Sequence, residues 1–219
     1  MNIKNKIKHI YLGQAVGDAL GLATEFMKKD QIAKLYPNGI HSYDDIHQDA
    51  HRSRWLKGSW TDDTDQFLCI HRSIKKNDRI DIYDIAKEFK AWFQDNPMGI
   101  GKTTYEILKL PEYEERPKEC AEFIWKMKGG DLAPNGGLMR NAAVAMFNHQ
   151  NEEEVIENCK TVCQLTHHDP RCVDSCQIHG LIIARELNGA DTNLQSILNS
   201  IPNLDKRTLE YIETNFTED

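Results

Sequence analysis

Apolar residues recur at helical spacing in block after block of this sequence, and nowhere is there a sustained alternation of apolar and polar residues. That period excludes a half-buried sheet and selects helices whose apolar stripes face a common core. The blocks are Ile7 to Met27, Phe67 to Ile74, Ile82 to Phe93, Thr103 to Leu108, Cys120 to Met127, Leu138 to Asn148, Glu152 to Thr166, Cys172 to Glu186 and Thr192 to Asn199, with "TLEYIETNF" as a last helix. Stretches rich in glycine, proline or asparagine separate them: "DNPMGIGKTT", "LPEYEERP" and "GGDLAPNGG". The expected fold is all-α. Asp81 is placed to cap the helix at Ile82, and Asn151 precedes a first turn, "EEE", that the helix dipole favours. Tyr36 to Gly58 loosens into a long polar loop with room for a short helix, and loops of that length are more often functional than idle. Gly13, Gly17 and Gly21 share one stripe of the first helix, which predicts close approach by a neighbouring element.

At 219 residues the chain reads as one domain, residues 1–219. Its 27 basic and 34 acidic residues give a net charge of −7, and the basic groups are scattered apart from "NIKNKIKHI". Broad binding to nucleic acid or an anionic membrane is therefore disfavoured. No window reaches the ~18 apolar residues of a membrane span, and the start has no signal-peptide core, so the expected location is the cytoplasm rather than a secreted form. There the six cysteines remain thiols. Cys159, Cys163, Cys172 and Cys176 bracket His167 and His168 in the manner of a zinc site, but pairs four residues apart suit buried helix faces better than a zinc turn.

The segment "WTDDTDQFLC" crowds Asp62, Asp63 and Asp65 against the start of a buried helix. One cap, Thr61 or Asp62, is all a helix start needs, and adjacent carboxylates repel unless a cation neutralises them. Mg²⁺ binds hard oxygens of this kind and keeps several waters. On the residues alone, a magnesium site and an exposed acidic helix start explain the cluster about equally well. "GIGKTT" and "PNGGLMR" put permissive backbone before apolar helices, where N–H groups can meet phosphates, although neither has Walker spacing.

The blocks "GQAVGDALGLATEF", "GSWTDDTDQFLC", "GIGKTT", "APNGGLMRNAAV" and "LTHHDPRCVDSC", in this order and approximate spacing, resemble the ADP-ribosylglycohydrolases. The resemblance implies a compact, all-α orthogonal bundle of that type. It also implies a dimetal magnesium site and Mg²⁺-dependent hydrolysis of the glycosidic bond between ADP-ribose and a protein side chain or small molecule. By the same resemblance Thr61, Asp62 and Asp63 are metal ligands, and Glu25, Asp62 and Asp63 are the catalytic set. Gly99, Gly101, Asn135, Gly136, Gly137, Arg140 and His167 bind the ADP-ribose. The expected partner is ADP-ribose or an ADP-ribosylated protein. Asp18 is expected to be structural or to support the site from behind, His167 to orient rather than act as a base, Asp65 to face solvent, and Arg171 to bridge to an acidic neighbour.

The family also carries a C-terminal block of the form G-G-D-x-D-[ST], which completes the two-metal site. No such block occurs here; the nearest string, "NGADTNLQS", comes too soon after "THHDPRC". The chain is thus expected to be either a piece of a longer protein or a short form, with one magnesium or a weakened site, since fewer anionic ligands offset the stripping of water from the ion. Two functions follow from this: the hydrolase, or a catalytically impaired module that binds ADP-ribose or a partner protein.

Overall fold

The computed structural model describes residues 2–216. Eleven α-helices and three short 3-10 turns make up the regular structure, and no strand occurs among the described residues. The helices are α1 (Ile3–Gly21), α2 (Lys29–Leu35), α3 (Asp62–Asn77), α4 (Ile82–Gln94), α5 (Lys102–Leu108), α6 (Pro117–Met127), α7 (Ala142–Ala145), α8 (Glu152–Cys163), α9 (Pro170–Asn188), α10 (Leu194–Ser200) and α11 (Lys206–Asn215). None is long and apolar enough to cross a membrane.

The core is built where the apolar stripes of α3, α4, α8 and α9 meet. Phe67 and Ile70 on α3, Ile85 and Phe89 on α4, Val155 and Cys159 on α8, and Val173 and Cys176 on α9 are all buried in one cluster. The α8–α9 pair packs most extensively, α3 lies against α4, and the short α7 is wedged among α3, α8 and α9. Close approach is bought by glycine at one point: a Cβ on Gly180 of α9 would lie 2.3 Å from Cys159 Sγ. A second, smaller cluster of Ile156, Leu181, Ile197 and Ile201 fixes α10 to this pair. The six cysteines are free and buried, and they serve as small apolar packing groups. Asp81 accepts from the amides of Tyr83 and Asp84, and Asn151 from that of Glu154, so α4 and α8 start at the expected caps.

Three expectations about local structure are corrected, and the polar loop keeps its expected short helical turns. The first helix ends at Gly21, because Arg52 holds the carbonyls of Ala23 and Glu25 and draws the next residues into turns. The segment Leu138 to Asn148 is helical only over Ala142–Ala145. Arg140 is turned inward to Gln66 and Thr166, and Asn141 donates to the carbonyl of Cys176, so side-chain bonds replace a continuous helix there. The glycine stripe of α1 meets nothing: Cβ atoms at Gly13, Gly17 and Gly21 would have open space. Those glycines face outward, while α1 packs inward through Ile10, Tyr11 and Ala19. The polar loop is a worked structure with 3-10 turns at Tyr43–Asp45 and Arg52–Arg54, and it buries Ile46 and Trp55.

Candidate active site

The acidic start of α3 is organised from behind by Asp18 of α1. Its carboxylate accepts from the Thr61 amide (2.9 Å), the Thr61 hydroxyl (2.7 Å), the Thr64 amide (3.0 Å) and the Thr64 hydroxyl (2.7 Å). Thr61 is the N-cap of α3 but makes no side-chain cap of its own; a residue 43 positions upstream supplies the capping oxygens. Orphan amides of the first turn are thereby satisfied. Since the Thr61 hydroxyl gives its proton to Asp18, its lone pairs are left for an electrophile on the other side.

Asp62 and Asp63 follow, half-buried, with Asp63 Oδ2 3.5 Å from the Thr61 hydroxyl. Burial, offset by the Gly101 amide and reinforced by the charges of Glu25 and Asp18, raises the Asp62 carboxyl above the usual range. Burial with the charges of Asp18, Asp62 and Glu25 pushes Asp63 up to about 7. Carboxylates so placed are short of positive charge. Two carboxylates and a hydroxyl whose proton is turned away are hard-oxygen donors that fit a divalent cation such as Mg²⁺, which retains waters in its remaining positions. No three His, Cys, Asp or Glu side chains among the described residues form a closed metal cage.

Asp65 does not face solvent, contrary to expectation. Its two oxygens accept from the indole N–H groups of Trp60 and Trp92, each at 3.0 Å, which fixes Trp60 as a wall. A cleft of about 400 Å³ opens there, lined by Trp55, Trp60, Thr61, Asp62, Asp65, Met98 and Gly99. Gly99 is confined between Trp55 and Asp62, with a Cβ position 3.1 Å from the indole and 3.4 Å from Asp62 Oδ1. Gly101 donates its amide to Asp62 Oδ2 at 3.3 Å, so this loop is tied to the acidic cluster. Glu25 lies on the exposed turn after α1, its carboxylate 2.8 Å from His51 Nε2.

The second loop adjoins the first through Thr104. Asn135 is exposed and opens the 3-10 turn Asn135–Gly137, whereas Gly136 and Gly137 are buried. A Cβ on Gly136 would lie 2.7 Å from the His167 ring and 3.6 Å from the Thr104 hydroxyl; one on Gly137 would lie 2.8 Å from Cys163 Sγ. Both positions require glycine for packing. His167 is buried, pairs at Nδ1 with the Thr166 hydroxyl (2.8 Å), and is pushed down to about 3 by burial and by Arg140, so its ring is uncharged near neutrality. Arg140 does not reach the ligand face: its side chain is 0% exposed, bonded to Gln66 and Thr166 and stacked 4.3 Å over Phe89. Its part is to hold Thr166, and through it His167. The structure thus brings Glu25, Thr61, Asp62, Asp63, Gly99 and Gly101 together, sets Asn135 beside them through Thr104 and Gly136, and leaves Gly137 and Arg140 behind as supports. Gly136→Ala is expected to displace the His167 ring at a stability loss of ~1–3 kcal/mol from overpacking, read by thermal melts and by the His167 ring resonances in NMR.

The ADP-ribosylglycohydrolase family model matches residues 1–217. The chain belongs to this family. Within it, this ADP-ribosylglycohydrolase domain is 31% identical over 186 residues to the ADP-ribosyl-(dinitrogen reductase) glycohydrolase of Rhodospirillum rubrum, covering 82% of this chain and 57% of that protein. It is 26% identical over 193 residues to the ADP-ribosylarginine hydrolase Tri1 of Serratia proteamaculans (strain 568), covering 85% and 48% respectively. The chain spans about half the length of the curated relatives it matches. His51, Arg52, Trp55 and Trp92 border this site without standing out in the sequence motifs; for the first three the only signal is the unusual length of the polar loop, and Trp92 lies on the apolar stripe of α4 with no signal of its own.

Proposed function

We propose that this domain binds ADP-ribosylated protein or small-molecule substrates and hydrolyses the glycosidic bond at the ribose, with Mg²⁺ held by Thr61, Asp62 and Asp63. The observation that carries this is the half-buried, uncompensated pair Asp62 and Asp63 beside Glu25, with Asp63 raised to about 7. Such a cluster is costly to a fold unless a cation or a developing positive charge is its intended neighbour. Cleavage at an anomeric carbon passes through an oxocarbenium-like state, and carboxylates nearby favour it and move the protons of water and leaving group. Bound magnesium would polarise ribose hydroxyls and a water molecule. Glu25, exposed at the rim of the acidic cluster, is the proton-moving group, while Asp62 and Asp63 supply negative charge. Trp55, Trp60 and Gly99 form a wall that limits water around the reacting centre. Asn135 and the Gly99 amide recognise the phosphates, while the Gly101 amide ties that loop to Asp62.

The test is release of ADP-ribose from an ADP-ribosylated protein with and without magnesium. Wild type should release it in a magnesium-dependent way, and Asp62→Ala/Asp63→Ala should lose at least ~10³-fold. Equal release by the two proteins overturns the proposal, and binding of ADP-ribose without turnover would mark a binding module instead.

A further inference from the structure

The turn that carries Glu25 is gripped by a clip drawn from the polar loop, and the grip has two parts. Arg52, almost wholly buried, donates from Nε to the Ala23 carbonyl at 2.9 Å and from a terminal nitrogen to the Glu25 carbonyl. Asp49 holds the Arg52 guanidinium and accepts from the amides of His51 (3.0 Å) and Arg52 (2.9 Å). The backbone on both sides of Glu25 is therefore fixed, and Phe26, next along, is held at φ 60°, a left-handed conformation that a bulky residue rarely adopts.

Fixing the backbone leaves the glutamate torsions free, and His51 addresses those. Its Nε2 lies 2.8 Å from Glu25 Oε2, and its Nδ1 lies 3.1 Å from Arg54 Nη2. An arginine only donates, so Nδ1 accepts and the tautomer carries its proton on Nε2, aimed at Glu25. The ring is wedged edge-on between Phe26 and Trp55, each with centroids 5.3 Å away, and Trp55 is the residue that packs on Gly99. Glu25 thus has one oxygen bound to a fixed donor and the other free for substrate or water.

We propose that His51, set in its Nε2-protonated tautomer by Arg54, is the positioning residue that presents the free oxygen of Glu25 to the substrate. The proposal rests on the hydrolase reading given above for Glu25. A single partly exposed hydrogen bond contributes little net stability, so the value of this contact lies in orientation, where misplacement of a reacting group costs ~10- to 100-fold in rate.

Nitrogen-15 NMR of the whole chain tests the geometry without any turnover: His51 should show a protonated Nε2 and an unprotonated Nδ1, and that pattern should be lost in Arg54→Met. An Nδ1-protonated or averaged ring in the wild type overturns the proposal. Kinetics then separate positioning from packing. His51→Phe keeps the aromatic wedge without a donor and should lower kcat for ADP-ribose release by ~10-fold or more with KM unchanged. His51→Gln restores an N–H near the same place and should recover to within about threefold of wild type, and His51→Phe should add nothing in a Glu25→Gln background. A merely structural ring predicts the opposite order, with Phe better than Gln, and that order overturns the proposal. Absence of release by the wild type would refute the hydrolase reading, while the tautomer measurement would still judge His51.

Discussion

Asp18→Ala is expected to lower the melting temperature by roughly 5–15 °C and to weaken magnesium binding in the same protein. Four donors of the α3 start converge on this carboxylate. A hydrogen bond to a charged group is worth ~1.5–3 kcal/mol, but water can reach part of this half-buried turn, and removing Asp18 also relieves its repulsion of Asp62 and Asp63. A net loss of about 2–4 kcal/mol results, and at this chain length each kcal/mol moves the midpoint by ~2–4 °C. The Thr61 hydroxyl also loses the acceptor that turns its proton away from the cleft, so its oxygen is no longer held ready for a cation. Thermal melts with and without magnesium check both halves. A stability change within about 0.5 kcal/mol, the range of an ordinary surface substitution, would show that α3 is not held from α1.

Asp169→Ala is expected to cost as much or more, about 3–5 kcal/mol, because it leaves the Trp125 indole, the Leu132 amide and the start of α9 without their acceptor and Arg171 without its closer partner. Asp169 is 0% exposed and accepts from Trp125 Nε1 (3.0 Å), the Leu132 amide (3.2 Å), and the amide, Nε and Nη2 of Arg171 (3.1, 2.9 and 2.9 Å). It caps α9, ties down α6 and fixes the strand of chain that leads into Asn135. Burial works against its charge, yet the hydrogen bonds from Arg171 and Trp125 outweigh that and hold the carboxyl well below its ordinary 3.8. With the folded value below the unfolded one, the stabilisation is fully present above the ordinary carboxylate range and is lost as pH falls below it. Denaturant unfolding should therefore show a large wild-type advantage at pH 7 that shrinks below about pH 4. An advantage independent of pH would contradict the ionic account.

Long helices with clean apolar stripes, α3, α4, α8 and α9, were legible in the sequence because burial enforces the period. The helix α2 was not: Ile32 and Leu35 are its main apolar residues, none of its residues is buried, and no stripe can be seen. The stretch after Leu138 has helical composition, but Arg140 and Asn141 bond across the core to Gln66, Thr166 and Cys176, partners that spacing along the chain cannot disclose. For the same reason Arg140 reads as a ligand group in "PNGGLMR" and turns out to be an interior support. Three glycines on α1 suggest close packing, yet only the three-dimensional arrangement decides that they face outward. In the site, the T-D-D stretch and the glycine loops stand out by residue type, and only the family resemblance gives them roles. The Asp18 cap, the two indoles on Asp65 and the clip formed by Asp49, His51 and Arg52 depend on contacts between segments far apart in the chain.

The proposed function stands on a divalent-cation site at the start of α3, built on Thr61, Asp62 and Asp63. Its most direct test is calorimetric titration of magnesium into the wild type and into Asp62→Ala/Asp63→Ala at pH 8, above the raised value of Asp63. The account predicts saturable binding to the wild type, with a matching rise in melting temperature, and neither effect in the double variant. No magnesium binding by the wild type, or equal binding by both proteins, would contradict it.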